Sequence, residues 1–275
     1  MLSRNLSHRI LTGLPLAAAA CWYIFGANKP AFVAITILIG FIACFEIGKA
    51  FQQRPLPFRF SILYITQISL FLSFWFLIRH RPGLAAGAIG FLLISLIAGS
   101  AGRKEREHRM VFWYLFVLIW IAFPLCLLYL LRFELVADKG SELIFFIILV
   151  AAFNDIFAYF GGKRFGKHPL AKVISPKKTI EGSLFGIGGG LIAGLGMSTL
   201  FLSDILPLWK AIPTIIVMVM MAQAGDLVES KFKRYCGIKD SSNLIPGHGG
   251  LLDRIDAYLL ALPAFIGLIY IFNVV

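Results

Sequence analysis

Between an apolar run at 211–226 and another at 251–273, the chain reads Asp226-Leu-Val-Glu-Ser-Lys-Phe-Lys-Arg-Tyr-Cys-Gly-Ile-Lys-Asp240-Ser-Ser-Asn-Leu-Ile-Pro-Gly-His248-Gly-Gly-Leu-Leu-Asp253-Arg-Ile-Asp256. No other long segment is as polar. A turn-rich run, Pro246-Gly247-His248-Gly249-Gly250, flows into Asp253, Arg254 and Asp256, which open the second apolar run. Charges beside a membrane span are costly and need partners. A polar island between two apolar runs therefore sets the fold class: an all-α polytopic integral membrane protein whose polar loops form its working end.

The rest of the chain agrees. Of 275 residues, 59% are hydrophobic and 15% are charged, with a mean hydropathy of +0.84. That composition excludes a soluble domain of this size. A net charge of +12 would point to nucleic acid in a soluble protein. Here the cations fall mostly in short loops, where they set topology and meet anionic lipid or phosphate, and no nucleic-acid partner is expected. Cys21, Cys44 and Cys126 lie in apolar runs and Cys236 in a polar stretch, without metal or disulfide spacing.

A helix needs about 20 apolar residues to cross a bilayer. Nine runs are candidates: 10–26, 31–48, 60–78, 83–100, 111–131, 141–160, 183–202, 211–226 and 251–273. Arg4, His8 and Arg9 before the first run are reminiscent of a secretory signal, but the spans that follow favour a retained first helix. The chain divides into 1–140, with about five spans, and 141–275, with about four spans and two polar loops at 161–182 and 227–254. Of the 26 Lys and Arg residues, only Lys29, Arg79, Arg81, Arg132, Lys139 and Lys210 fall in loops on one side. The other twenty share the side of the N-terminus. Lys and Arg concentrate in cytoplasmic loops, so the expected orientation is N-in and C-out, with both polar loops in the cytoplasm.

Glu46, near Lys49 at the end of the second run, reads either as an end-of-span acid paired with that lysine or as a functional group. The loop Arg103-Lys-Glu-Arg-Glu-His-Arg109 alternates in sign and reads as solvated or headgroup-facing. Asn154-Asp155 stands well inside an apolar stretch, where ionisable residues are functional by default. Gly182, Gly186, Gly190 and Gly194 recur every fourth residue on one helix face. Such a stripe lets another helix approach closely, within the protomer or across a dimer.

Two stretches carry chemistry. The first holds Asp155, then Gly161-Gly162-Lys163-Arg164-Phe165-Gly166-Lys167, then Ser175-Pro176-Lys177-Lys178-Thr179-Ile180-Glu181. Clustered cations with glycine amides and hydroxyls suit a polyphosphate. Ser175-Pro176 also reads as a turn feeding the seventh helix, and Glu181 in that helix's first turn has an ordinary capping explanation. The second stretch adds the carboxylates Asp226, Asp240, Asp253 and Asp256 among Lys233, Arg234, Lys239 and Arg254. Acids beside a phosphate-binding cluster would repel substrate unless a metal sits between them. Mg²⁺ binds through one or two carboxylates plus phosphates, so metal-assisted phosphoryl or nucleotidyl chemistry is expected. Asp253 and Asp256, three apart, share a helix face, and Arg254 is placed to pair with Asp256. His248 alone is weak as a zinc ligand and is expected to contact substrate or shape the glycine turn. Gly249 and Gly250 read as backbone room for a phosphate.

Asp226 with Ser230-Lys-Phe-Lys-Arg234, Lys239-Asp240, Pro246-Gly-His-Gly-Gly250 and Asp253-Arg-Ile-Asp256 closely resembles the signature of the CDP-diacylglycerol synthases, or phosphatidate cytidylyltransferases. The 155–182 stretch is similar to that family as well. The resemblance implies a membrane enzyme that joins CTP to phosphatidate, giving CDP-diacylglycerol and pyrophosphate in phospholipid synthesis. It also implies Mg²⁺ on Asp226 and Asp253, a homodimer, contacts with membrane lipid, and residence in a bacterial inner membrane. The Ser175-Pro176-Lys177-Lys178 and Lys163-Arg164 elements would belong to the polar site. The alternatives are a CTP-dependent polyprenol kinase and, outside enzymes, a lipid or ion transporter. Against a transporter, no inverted pair of broken spans is detectable.

Overall fold

In lipid every backbone amide must be satisfied within its own segment, so apolar runs of this length become helices. The computed structural model describes residues 4–53, 59–100, 107–136, 138–245 and 249–274. His248, with Pro246 and Gly247, and residues 103–106 of the alternating loop lie outside the described residues. The helices are α1 (Arg4–Cys21), α2 (Lys29–Gln52), α3 (Phe60–Ile78), α4 (Pro82–Ser100), α5 (Glu107–Val117), α6 (Phe123–Leu130), α7 (Gly140–Phe165), α8 (Ile180–Phe201), α9 (Leu208–Cys236) and α10 (Leu252–Ile271). A π-helical turn, Trp22–Gly26, extends α1, and two more, Leu118–Ala122 and Leu131–Leu135, make 107–135 one continuous helix. Pro124 sits in the first turn of α6. It has no N–H to give, and its ring crowds the carbonyl four residues back, which accounts for the widened turn just before it.

Among the described residues, seven helices are long and apolar enough to cross a membrane: Lys29–Gln52, Phe60–Ile78, Val111–Leu135, Gly140–Phe165, Ile180–Phe201, Leu208–Cys236 and Leu252–Ile271. Thr12–Gly26 and Pro82–Ile97 are apolar but shorter. The first and fourth of the nine expected runs are thus the short ones. Large apolar side chains such as Ile97, Ile119, Leu200 and Ile271 stand exposed on the outside of the bundle, as a lipid-facing surface would present them.

Two departures from the sequence reading matter for the site. The eighth run does not end at 226: α9 continues to Cys236, so Glu229, Lys233 and Arg234 project from a helix rather than a loop. The Glu229–Lys233 ion pair at i,i+4 supports this extension. Gly237 at φ +76° ends it, with Gly237 N donating to Arg234 O (3.1 Å) and Ile238 N to Lys233 O (3.0 Å). That is the paired C-terminal capping pattern that favours glycine. The second departure is a hairpin between α7 and α8. β1 (Pro169–Ala171) and β2 (Ser175–Thr179) pair antiparallel, Pro169 opposite Thr179 and Ala171 opposite Ser175. Ser175-Pro176 is strand, not turn; proline is tolerated there because a two-stranded sheet leaves each strand one free edge.

Apolar packing has two centres. One joins Phe146 and Val150 of α7, Met197 of α8, Ile215 and Val219 of α9, and Phe265 of α10. The other joins Ile47 and Phe51 of α2, Leu63 of α3, Tyr114 of α5, Phe232 of α9, and Leu252 and Leu259 of α10. Helices α9 and α10 contribute to both, which fixes them against each half of the bundle. The glycine stripe of α8 packs inside the chain. A Cβ at Gly182 would lie 2.8 Å from the Ala158 carbonyl oxygen of α7, one at Gly190 2.5 Å from Val219 of α9, and one at Gly194 2.6 Å from Ile215 of α9.

Candidate active site

Asp226, Glu229, Ser230 and Lys233 recur at i, i+3, i+4 and i+7 on α9, so they share one face. Helix α10 meets that face closely at Gly225, where a Cβ would stand 2.5 Å from the Asp256 carbonyl oxygen. Carboxylate oxygens of Asp226, Glu229 and Asp256 consequently lie within 4.8 Å of one another. Glu229 is 2% exposed and Asp256 8%. Glu229 Oε2 accepts from Lys233 Nζ at 2.7 Å, while Glu229 Oε1 is buried and has no hydrogen-bond partner among the described residues. Lys233 Nζ also donates to Asp253 Oδ1 at 2.8 Å. Asp226 accepts from Ser230 Oγ at 3.3 Å and forms an ion pair with Lys178 at the end of β2.

Four carboxylates (Asp226, Glu229, Asp253 and Asp256) thus surround two lysines. Like charges this close repel strongly where water is excluded, and a buried acceptor without a donor is costly. The donor set is all oxygen, which suits a hard divalent cation. The orphaned Glu229 Oε1 and the excess negative charge both fit a metal held by Asp226, Glu229 and Asp256.

The structure brings several of the expected site residues together and leaves others apart. Asp253 is occupied by Lys233, by Ser241 N (3.1 Å) and Oγ (2.9 Å), and by Gly250 N (2.7 Å). Gly249 adopts φ +80°, and a Cβ there would lie 2.6 Å from Asp253 Oδ2, so these glycines let the loop fold onto Asp253. Arg254 is exposed, and its charge bears on Asp155 and Tyr258, whereas Asp256 faces the acids of α9. Asp155 lies in electrostatic reach of Asp226 and Lys178 as well. Arg234, Lys239 and Asp240 are exposed beyond the acidic face, Arg234 Nη1 reaching Ile238 O at 3.5 Å.

On the hairpin side, Lys163, Arg164, Lys167, Pro176 and Lys177 are exposed, with Arg164 over the Phe165 ring and Ser175 half-buried. Thr179 caps α8 by accepting from Gly182 N at 3.1 Å. Glu181 accepts from the backbone N–H groups of Lys167 (3.0 Å) and His168 (3.2 Å) and contacts the His168 ring, so it ties the end of α7 to the hairpin.

Four side chains around the site escape the sequence reading. Glu229 stands three after Asp226, a spacing that flags it once α9 is extended. Gln223 and Ser183 complete a polar belt with Asn154: Gln223 Nε2 donates to Asn154 Oδ1 (2.7 Å) and Ser183 O (3.1 Å), Ser183 Oγ donates to Gln223, and Asn154 Nδ2 donates to Asp155 Oδ1 (2.9 Å). Ser241 lies in a run that carries no chemical signal. Glu46 does not pair with Lys49, whose Nζ lies 4.9 Å above the Phe45 ring; it faces Ser241, Ser242, Leu251 and Leu252 instead.

A bundle of apolar helices thus converges on a buried acid cluster, and the cationic hairpin is tied to it through Lys178 and Asp226. The chain belongs to the cytidylyltransferase family, whose model matches residues 7–272. It is similar to proteins named phosphatidate cytidylyltransferase from Staphylococcus saprophyticus and Staphylococcus epidermidis, each 44% identical over 126 residues. The protein of that name from Staphylococcus aureus is 42% identical over 126 residues. Each match covers 46% of this chain and 48% of the relative, so the chain spans about half the length of the curated relatives it matches.

Proposed function

We propose that this protein joins CTP to phosphatidate, forming CDP-diacylglycerol and releasing pyrophosphate. The observation that carries the reading is the cluster of Asp226, Glu229 and Asp256 beside Lys178, with Glu229 Oε1 buried and without a hydrogen-bond partner among the described residues. Family membership and the names of the relatives support the same reaction. A phosphatidate phosphate oxygen attacks the α-phosphorus of CTP; a new P–O bond forms, the α–β bridge breaks, and pyrophosphate leaves with the electron pair. A phosphate monoester has its second pKa at about 6, so the nucleophile is already largely dianionic and needs no strong base. What the protein must supply is charge control. Asp226, Glu229 and Asp256 would hold Mg²⁺, which neutralises phosphate charge when bound. Asp253 shares Lys233 with Glu229 and so supports the same cluster. Lys178, with the exposed Lys163, Arg164, Lys167 and Lys177, offers cations to the nucleotide phosphates. The diacyl tails remain in the bilayer while the headgroup reaches the acids.

The topology that suits this chemistry has nine crossings, N-in and C-out. The two short apolar helices complete the seven long ones, and the cation bias puts the acid cluster on the cytoplasmic side of a bacterial inner membrane, where CTP is dissolved. A homodimer is part of this reading. The test is purified protein with phosphatidate and CTP labelled at the α- or γ-phosphate. Label from the α-phosphate in lipid supports the reading. Label from the γ-phosphate would mean a lipid kinase, and lipid or ion transport without CTP turnover would mean a transporter.

A further inference from the structure

Glu46 belongs to α2, far in sequence from every residue of the acid cluster, and is 1% exposed. Its carboxylate is held by residues 195 to 206 positions away. Ser242 Oγ and Leu251 N donate to Oε1 at 2.6 and 2.9 Å and Leu252 N donates to Oε2 at 2.8 Å, while the single Ser241 hydroxyl proton is shared between Glu46 Oε2 at 3.1 Å and Asp253 Oδ2 at 2.9 Å. Among the described residues its partners are these donors and no cation. A buried anion without a countercharge is expensive, so these donors and the positive end of α10 must hold it. Gly250 is a condition of the contact, because a Cβ there would stand 2.7 Å from both carboxylate oxygens.

We propose that Glu46 is a positioning residue for the acid cluster: it fixes the height and rotation of α10, and so the place of Asp256 against Asp226 and Glu229. The inference rests on the reading of that cluster as the metal-holding centre. Leu251 and Leu252 are the first amides of α10, and Asp256 follows Leu252 by one turn of the same rigid helix. The Ser241 hydroxyl lies between Glu46 and Asp253, 2.9 Å from Asp253 Oδ2, so the loop that Glu46 holds also contacts the Lys233–Asp253 pair. Groups that orient metal ligands from behind typically change metal affinity by about 10- to 100-fold when removed.

The experiment is Glu46→Gln in the full chain, purified in detergent, with two readouts that do not depend on turnover. Hydrogen exchange reports the amides of Leu251 and Leu252, and electron paramagnetic resonance reports Mn²⁺ binding. The substitution keeps the size of the side chain but turns an N–H₂ group toward donors. The expected result is faster exchange at 251–252 together with Mn²⁺ binding weakened by about 10- to 100-fold. Ser242→Ala gives a smaller shift of both in the same direction, and Lys49→Gln changes neither. Faster exchange with unchanged Mn²⁺ affinity would make Glu46 a purely structural cap and overturn the proposal, as would unchanged exchange. If Glu46→Gln does not fold, the Ser241→Ala/Ser242→Ala double variant carries the same expectations with Glu46 intact. Wild type that binds Mn²⁺ but lacks cytidylyl transfer would overturn the reaction while leaving Glu46's role supported by the same shifts. Wild type that binds no Mn²⁺ would overturn both.

Discussion

Glu229 is the acid whose environment is least satisfied: one oxygen on Lys233, the other buried and without a donor among the described residues. Without a cation the cluster carries repulsion that folding must absorb. Glu229→Gln and Asp256→Asn are therefore expected to keep or raise the Tm in metal-free detergent solution while lowering cytidylyl transfer by on the order of 100-fold, the scale of losing one preorganised electrostatic contact. Thermal unfolding and initial rates on the same preparations check both halves. Mg²⁺ is expected to raise the Tm of the wild type through binding to the folded state, and to raise that of Glu229→Gln less. Asp226, Asp253 and Asp256 are legible in the sequence because acids beside an apolar run need a reason. Glu229 is equally visible, but hydropathy alone puts it in a loop. The partners of Glu46 cannot be foreseen at all, since contacts 195 to 206 residues apart leave no periodic trace.

Among the elements, the helices are legible because length and hydropathy decide them, but two boundaries are not. The extension of α9 to Cys236 depends on an ion pair and a glycine cap that outweigh the polarity of 227–236. The β1–β2 hairpin depends on pairing across only a few residues, too short for a pattern to show. The stripe on α8 reads as close packing from spacing alone, and the structure supplies its partners on α7 and α9. Gly190→Leu is expected to destabilise the protein by about 1–3 kcal/mol through overpacking against Val219. Gly188→Ala and Gly196→Ala, where nothing lies within 4 Å, are expected to leave stability unchanged within about 0.5 kcal/mol. Thermal unfolding of the three variants compares them directly.

For the whole molecule, the hairpin, the end of α9 and the start of α10 meet at one end of the bundle, joined by Lys178–Asp226 and Lys233–Asp253. The loop between α8 and α9, with Lys210 in the first turn of α9 just after it, lies at the other end of those helices. Cys21 is exposed while Cys44, Cys126 and Cys236 are buried. In a Cys21→Ala background, Lys177→Cys is expected to react with an impermeant maleimide only in inside-out vesicles, and Lys210→Cys only in right-side-out ones. The reverse pattern would turn the site away from CTP. The central claim is that the Asp226, Glu229 and Asp256 cluster transfers cytidylyl to lipid. Its most direct measurement follows α-labelled CTP into phosphatidate-derived lipid for wild type and Asp226→Asn side by side, with Mg²⁺ limiting. The expected result is α-label in the lipid for wild type and a loss on the order of 100-fold in the variant; γ-label in the lipid, or undiminished transfer by Asp226→Asn, would contradict the account.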